Sequence, residues 1–142
     1  MESKVFIDTD VIIDFLIDRQ PHAIAASQLF DLADKEKIIL CTSVLSFNNV
    51  HYIVRKVLGE KKTRHILAEL ISLTDVLSVG VPHLTQAIES DFKDFEDAIQ
   101  HSVARTDSKI KAIITRNTKD YKTSKIPVFN TETFIKLTKN EW

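Results

Sequence analysis

Glycine and proline are scarce in this chain, two and three respectively in 142 residues. That scarcity excludes collagen-like repeats, Gly/Pro-rich disorder and a turn-rich all-β sandwich, each of which needs those residues to form its turns or keep the chain open. Cysteine occurs once, as Cys41 inside the apolar run IILC. A single thiol can make no intramolecular disulfide and completes no zinc site, so Cys41 reads as a small buried residue and the expected environment is a reducing cytoplasm. No apolar run approaches the ~20 residues that a bilayer-spanning helix needs, and the N-terminal MESKVFID lacks the long apolar core of a secretion signal. The expectation is a soluble protein without a membrane partner. Charge of one sign is not in excess either, since 19 Lys and Arg against 20 Asp and Glu leave a net charge of −1. Diffuse attraction to nucleic acid is therefore weak, and any recognition has to come from local clusters.

What the chain does contain is enough apolar material, 44% of its residues, to fill one core. One domain over residues 1–142, rich in helix, is expected. Short apolar or β-branched runs at 4–7 (KVFI), 37–42 (KIILCT), 75–81 (DVLSVGV), 111–116 (KAIITR) and 126–129 (IPVF) read as strands. Helical patterns separate them: VIIDFLIDR and HAIAASQLFDLADKEK with Pro21 between, SVLSFNNVHYIVRKVLG stopping at Gly59, then EKKTRHILAELISL. This alternation implies a three-layer α/β/α sandwich around a mostly parallel sheet of about five strands.

In such sheets the binding crevice lies beyond the carboxyl ends of the strands. Asp8 sits at one such end, followed by Asp10 and Asp14; Thr115, Arg116, Asn117 and Asp120 follow another. A further acidic group, Asp91, Asp94 and Asp97, lies in SDFKDFEDAIQH. There Phe92, Phe95, Ile99 and Val103 recur at helical spacing and would face the core, leaving Asp94, Asp97 and His101 on the other side. Each acid also has a plain structural reading. Asp94 and Asp97 resemble an N-cap with an acidic third position, Asp10 could cap the first helix, Asp14 and Asp18 could be a solvated face, and His101 an exposed helix residue. In combination they indicate a cation site, because several carboxylates in one crevice repel one another unless an ion neutralises them. Oxygen ligands without Cys or paired His favour Mg²⁺ or Mn²⁺, the equipment of phosphodiester hydrolysis.

Four segments in this order, FIDTDVIIDFL, TSVLSFNNVHYIV, FKDFEDAIQHSVA and IITRNTKDY, resemble the PIN-domain family of metal-dependent nucleases, many of which are similar to the toxins of VapBC-type toxin–antitoxin pairs. The resemblance implies endoribonuclease activity on RNA with Mg²⁺ or Mn²⁺ as cofactor. It puts the first acid on Asp8 and the third on Asp97, with Asp94 beside it, and the last site on Asn117 and Asp120 with Thr115 at the strand end. It implies catalytic roles for Asp8, Asp94, Asp97 and Asp120, and metal contacts from Asp8, Asp97, Asn117 and Asn49. Asn49 stands where many members of the family carry Glu; it offers a carbonyl oxygen but neither charge nor basicity. The implied partners are an RNA substrate, an antitoxin protein and a second copy in a homodimer.

A basic cluster, Lys109, Lys111, Arg116, Lys119, Lys122 and Lys125, is broken only by Asp120. Thr115, Arg116, Lys119 and Lys122 would lie beside the crevice as candidate nucleic-acid contacts, or simply as a solvated loop. Two other readings stay open. Asp8-x-Asp10 after a strand resembles the nucleophile motif of haloacid dehalogenase-like phosphatases, although the Asp91–Asp97 cluster precedes Thr115, the reverse of the order that family needs. A PIN-fold binding module that has lost catalysis through Asn49 is the third.

Overall fold

The computed structural model describes residues 3–141. Its elements are β1 (Ser3–Ile7), α1 (Thr9–Leu16), α2 (Ala23–Asp34), β2 (Ile38–Ser43), α3 (Val44–Leu58), α4 (Glu60–Leu73), β3 (Asp75–Leu77), α5 (Val81–Glu89), α6 (Phe95–Arg105), β4 (Ile110–Ile114), a 3₁₀ turn (Thr118–Tyr121), β5 (Val128–Phe129) and α7 (Thr131–Glu141). The strands form one sheet in the order β3-β2-β1-β4-β5, and every pairing is parallel. The expected fold class, three layers around a parallel five-stranded sheet, is what the chain adopts.

The period of two along each strand divides the core between the two faces. Val5 and Ile7 join Ala112, Ile114, Leu40, Val11 and Leu29 on one side. Phe6 joins Cys41, Ile110, Ile113, Ile99 and Val103 on the other. Each fully buried Ile or Phe contributes about 2 kcal/mol of transfer free energy, so both helical layers are held to the same strands. Gly59 ends α3 and begins α4 with φ 83°, a left-handed conformation that glycine adopts without strain. Among the described residues no helix is long and apolar enough to cross a membrane.

Several local expectations are corrected. The third strand stops at Leu77, because Gly80, Val81 and Pro82 open α5, with proline in the first helical turn. Helix α6 starts at Phe95 under an Asp94 cap, so Phe92 lies outside it; Ile99 and Val103 face the core as expected and Phe92 packs against it, but every residue from Ala98 to Ala104 is buried. Phe95 is 51% exposed, whereas His101 is buried and accepts a hydrogen bond from the Lys125 amide at 3.0 Å. Burial pushes the His101 pKa down to about 4. Asp14 is not a solvated residue but is 2% exposed, paired with Arg19 and Arg116 at 3.0 Å each.

Candidate active site

β1 is the sheet's middle strand, with β2 and β3 to one side and β4 and β5 to the other. The chain therefore leaves β1 and β4 in opposite directions, which opens a crevice beyond their carboxyl ends. Asp8 extends the β1 ladder by one bond, its amide donating to Ile114 O at 2.9 Å. The side chain then caps α1: Oδ1 accepts from the Thr9 amide at 2.8 Å. Oδ2 accepts from the Thr115 hydroxyl at 3.0 Å and from the Tyr121 hydroxyl at 3.3 Å. The structure thus joins the strand-end acid to the strand-end threonine expected beside it. Thr115 is itself fully buried.

Asp97 reaches the same point from α6. The Tyr121 hydroxyl lies 3.4 Å from Asp97 Oδ1 as well as 3.3 Å from Asp8 Oδ2. A phenol carries one proton, so it can donate to only one of two ionised carboxylates; the arrangement is satisfied when Asp97 is protonated and donates to it. The electrostatics agree. Burial, then the charges of Asp8 and Asp94, push the Asp97 pKa up to about 8. Burial, then Asp8, push Asp10 up to about 7, and burial raises Asp8 as well. The tyrosine pKa is raised by the same surroundings, so Tyr121 stays a neutral phenol.

Asp94 caps α6 by accepting from the Asp97 amide at 2.9 Å, so the capping reading holds while the residue also lines the crevice. Asp10 lies in the first turn of α1; Oδ2 accepts from the Arg116 amide at 3.3 Å, and Oδ1 is buried without a partner. Asn117 and Asp120 are exposed at the rim; Lys119 of the 3₁₀ turn and Lys122 just after it are exposed as well, outside the cleft lining. Asp120 and Asn117 line the same cleft of ≈ 610 Å³, together with Asn48 and Asn49 of α3. Arg116 is half-buried against Asp14 rather than free in the crevice.

Three features escaped the sequence reading. Glu96 lines the cleft, accepting from Asn49 Nδ2 at 2.6 Å, with its pKa raised by burial and then by Asp8 and Asp94. Tyr121 bridges the two principal acids. Behind them a buried polar chain ties four elements together: Ser43 Oγ donates to Gln100 Oε1 at 2.6 Å, Gln100 Nε2 donates to Ser46 Oγ at 2.8 Å, and Thr9 Oγ1 donates to Ser46 Oγ at 3.0 Å. Ser43, counted with the helical pattern that follows, is in fact the N-cap of α3. The others depend on contacts between segments far apart in sequence.

Among the described residues, no group of three or more His, Cys, Asp or Glu side chains already stands in a cation-holding arrangement. The donor set nonetheless fits a hard divalent ion. It is all oxygen, it includes the unpartnered Asp10 Oδ1, and four carboxylates, Asp8, Asp10, Glu96 and Asp97, are raised by burial and then by neighbouring carboxylate charge, which a cation would relieve.

Comparison with known proteins identifies the family and the fold. Ribonuclease VapC1 of Aquifex aeolicus (strain VF5) is 28% identical over 136 residues, 92% of each chain. A toxin–antitoxin complex from Klebsiella pneumoniae matches at TM-score 0.66 and 23% identity, over 89% of this chain and 97% of that one. VapC20 of Mycobacterium tuberculosis, a sarcin-ricin loop cleaving toxin, matches at TM-score 0.61 and 16% identity, over 77% and 86%. Asp8 is enclosed and hydrogen-bonded at both oxygens, and so is not presented as the nucleophile that the phosphatase alternative requires. The PIN domain family profile spans residues 4–119, which include Asp8, Asn49 and Asp97, and the chain belongs to the PIN domain family.

Proposed function

We propose that residues 1–142 act as one PIN-domain unit, a metal-dependent endoribonuclease that hydrolyses RNA phosphodiester bonds. The carrying observation is that Asp8 of the β1 end and Asp97 of α6, remote in sequence, approach one buried hydroxyl, that of Tyr121. Asp8 and Asp97 would hold the ion, with Asn117 and the Asn49 carbonyl completing its surroundings, and Asp94 and Asp120 orienting the attacking water. When bound, Mg²⁺ or Mn²⁺ lowers the pKa of that water and screens the charge of the scissile phosphate. The chain's own part is to hold its carboxylates in place. Thr9, Thr115 and Tyr121 fix Asp8, and the Asp94 cap fixes the first turn of α6 beneath Asp97.

Thr115 acts through Asp8, since its hydroxyl is committed there. Lys119 and Lys122 are exposed beside Asp120 and suit contacts to flanking phosphates, whereas the amide of Arg116 is committed to Asp10 and its guanidinium to Asp14, which leaves it the weaker candidate. A role as the toxin of a type II pair is supported by the Klebsiella complex and by the DNA-bound VapBC of Salmonella typhimurium, which matches at TM-score 0.66 and 16% identity over 92% of this chain and 99% of that one. The partner would then be an antitoxin protein, in the cytoplasm. Val81, Leu84 and Ile88 form an exposed apolar stripe on α5 that suits a homodimer.

The test is cleavage of single-stranded RNA with Mg²⁺ or Mn²⁺, wild type beside Asp8→Asn and Asp97→Asn, each checked for folding. Metal-dependent cleavage lost in both variants is the expected result. A folded wild type that cleaves nothing at high Mn²⁺ would favour the binding-module reading, for which the neutral Asn49 speaks.

A further inference from the structure

Position 49 of α3 carries an amide where the resemblance leads one to expect an acid, and the charge that is missing there is found one element away. Asn49 Nδ2 donates to Glu96 Oε1 at 2.6 Å. Only the NH₂ end of the amide can serve an ionised carboxylate, so this contact fixes the side chain's orientation and leaves its carbonyl oxygen for another partner. A carboxylate at position 49 would instead meet Glu96 as a like charge at hydrogen-bond distance, an arrangement that raises both pKa values. Asn49 is therefore complementary to Glu96. Glu96 is half-buried and lines the cleft shared by Asp8, Asp10 and Asp97. Its neighbour Asp97 is the acid that approaches Tyr121, so the first turn of α6 delivers two consecutive carboxylates to the crevice.

We propose that Glu96 supplies the negative charge absent from α3, contributing a carboxylate oxygen to the divalent-cation site, and that Asn49 is its positioning residue. The acid has moved from α3 to α6 while the site keeps its charge. This assignment rests on the metal-dependent nuclease reading.

The test is titration of the full chain with Mn²⁺ alone, followed by isothermal calorimetry, for wild type, Asp8→Asn, Glu96→Gln and the exchange variant Asn49→Glu/Glu96→Gln, with folding checked by circular dichroism. Glu96→Gln is expected to weaken Mn²⁺ binding at least about tenfold, the loss of one charged ligand. The exchange variant is expected to return to within about threefold of wild type, because a glutamate at 49 and an amide at 96 recreate the same pair with its members swapped. Wild-type affinity in Glu96→Gln, beside a loss in Asp8→Asn, would overturn the role of Glu96 and leave the cation site standing. An exchange variant as weak as Glu96→Gln would overturn the equivalence of the two positions. No Mn²⁺ binding by folded wild type would overturn the cation site and this inference with it.

Discussion

Buried carboxylates that also crowd one another make the ion-free protein lose stability as pH rises through neutrality, the reverse of what paired acids do. Asp10 and Asp97 have folded pKa values of about 7 and about 8, well above the usual carboxylate value of 3.8. Above that value the unfolded chain gives up these protons while the folded chain keeps them. The folded state then binds more protons, and stability falls with pH until both acids have ionised near pH 8. His101 acts in the opposite sense, since its pKa is depressed from 6.5 to about 4; it gains stability with pH up to about 6.5 and is silent above. The clean window is therefore pH 6.5 to 8.5. Asp97 crosses about 1.5 units there and Asp10 about half a unit, at ~1.4 kcal/mol per unit. Because Asp97 is only partly buried, solvent screening cuts its share by about half, and the total is about 2 kcal/mol. For a chain of this length that is roughly a 5 °C fall in melting temperature. Thermal unfolding in EDTA at pH 6.5, 7.5 and 8.5 measures it. Asp97→Asn should flatten the slope, and saturating Mn²⁺ should reverse it, because the ion and the protons compete for the same oxygens. A melting temperature that holds level or rises with pH in EDTA would refute the crowding argument.

Tyr121→Phe removes the hydroxyl shared by Asp8 and Asp97 and should lower RNA cleavage about tenfold while costing only about 1 kcal/mol of stability; unchanged cleavage rates would deny it a positioning role. Asp14→Ala leaves Arg19 and Arg116 without their buried counter-ion. Both arginines can turn toward solvent, so the loss should be about 2–3 kcal/mol, read by urea unfolding. Gly59→Ala meets nothing within 4 Å but keeps φ at 83°, which should cost about 1 kcal/mol in the same assay; a neutral result would mean that the α3–α4 joint relaxes. Lys119→Ala with Lys122→Ala should reduce the salt dependence of single-stranded RNA binding by up to about 1.4 in log–log slope, and an unchanged slope would remove both from phosphate contact.

The strands and the first acid were legible because each signal is local. An apolar run that stops abruptly at a carboxylate identifies both the end of β1 and the mouth of the crevice. The α6 face was misjudged for an equally local reason. Counting one stripe from Phe92 assumes an opposite, solvated face, whereas Ala98 to Ala104 are buried all round, so His101 is enclosed while Phe95 in the first turn stays exposed. α5 was hidden because DVLSVGV continues the strand pattern into a segment that Pro82 converts to helix. Asp14 was read as solvated, and the roles of Gln100 and Tyr121 were not read at all. Their roles are set by Arg19 and Arg116, by Ser43 and Ser46, and by Asp8 and Asp97, partners that only the folded chain brings near.

The same distinction bears on capping and metal binding, the two roles that the acids offered. Asp8 and Asp94 each cap a helix, and both helices begin at the crevice. A helix N-terminus presents unpaired N–H groups and a partial positive charge, which lowers the cost of holding carboxylates there. Capping is thus the condition that lets α1 and α6 bring acids together. It satisfies only part of the charge, since the Thr9 and Asp97 amides serve one oxygen each on Asp8 and Asp94. Asp10 Oδ1 keeps no partner, Asp97 is raised to about 8, and Glu96 is raised despite the Asn49 amide. That residue of uncompensated oxygen is what distinguishes this crevice from an ordinary pair of helix caps. It is also why cation binding should stabilise the protein most at the pH where its acids are least protonated.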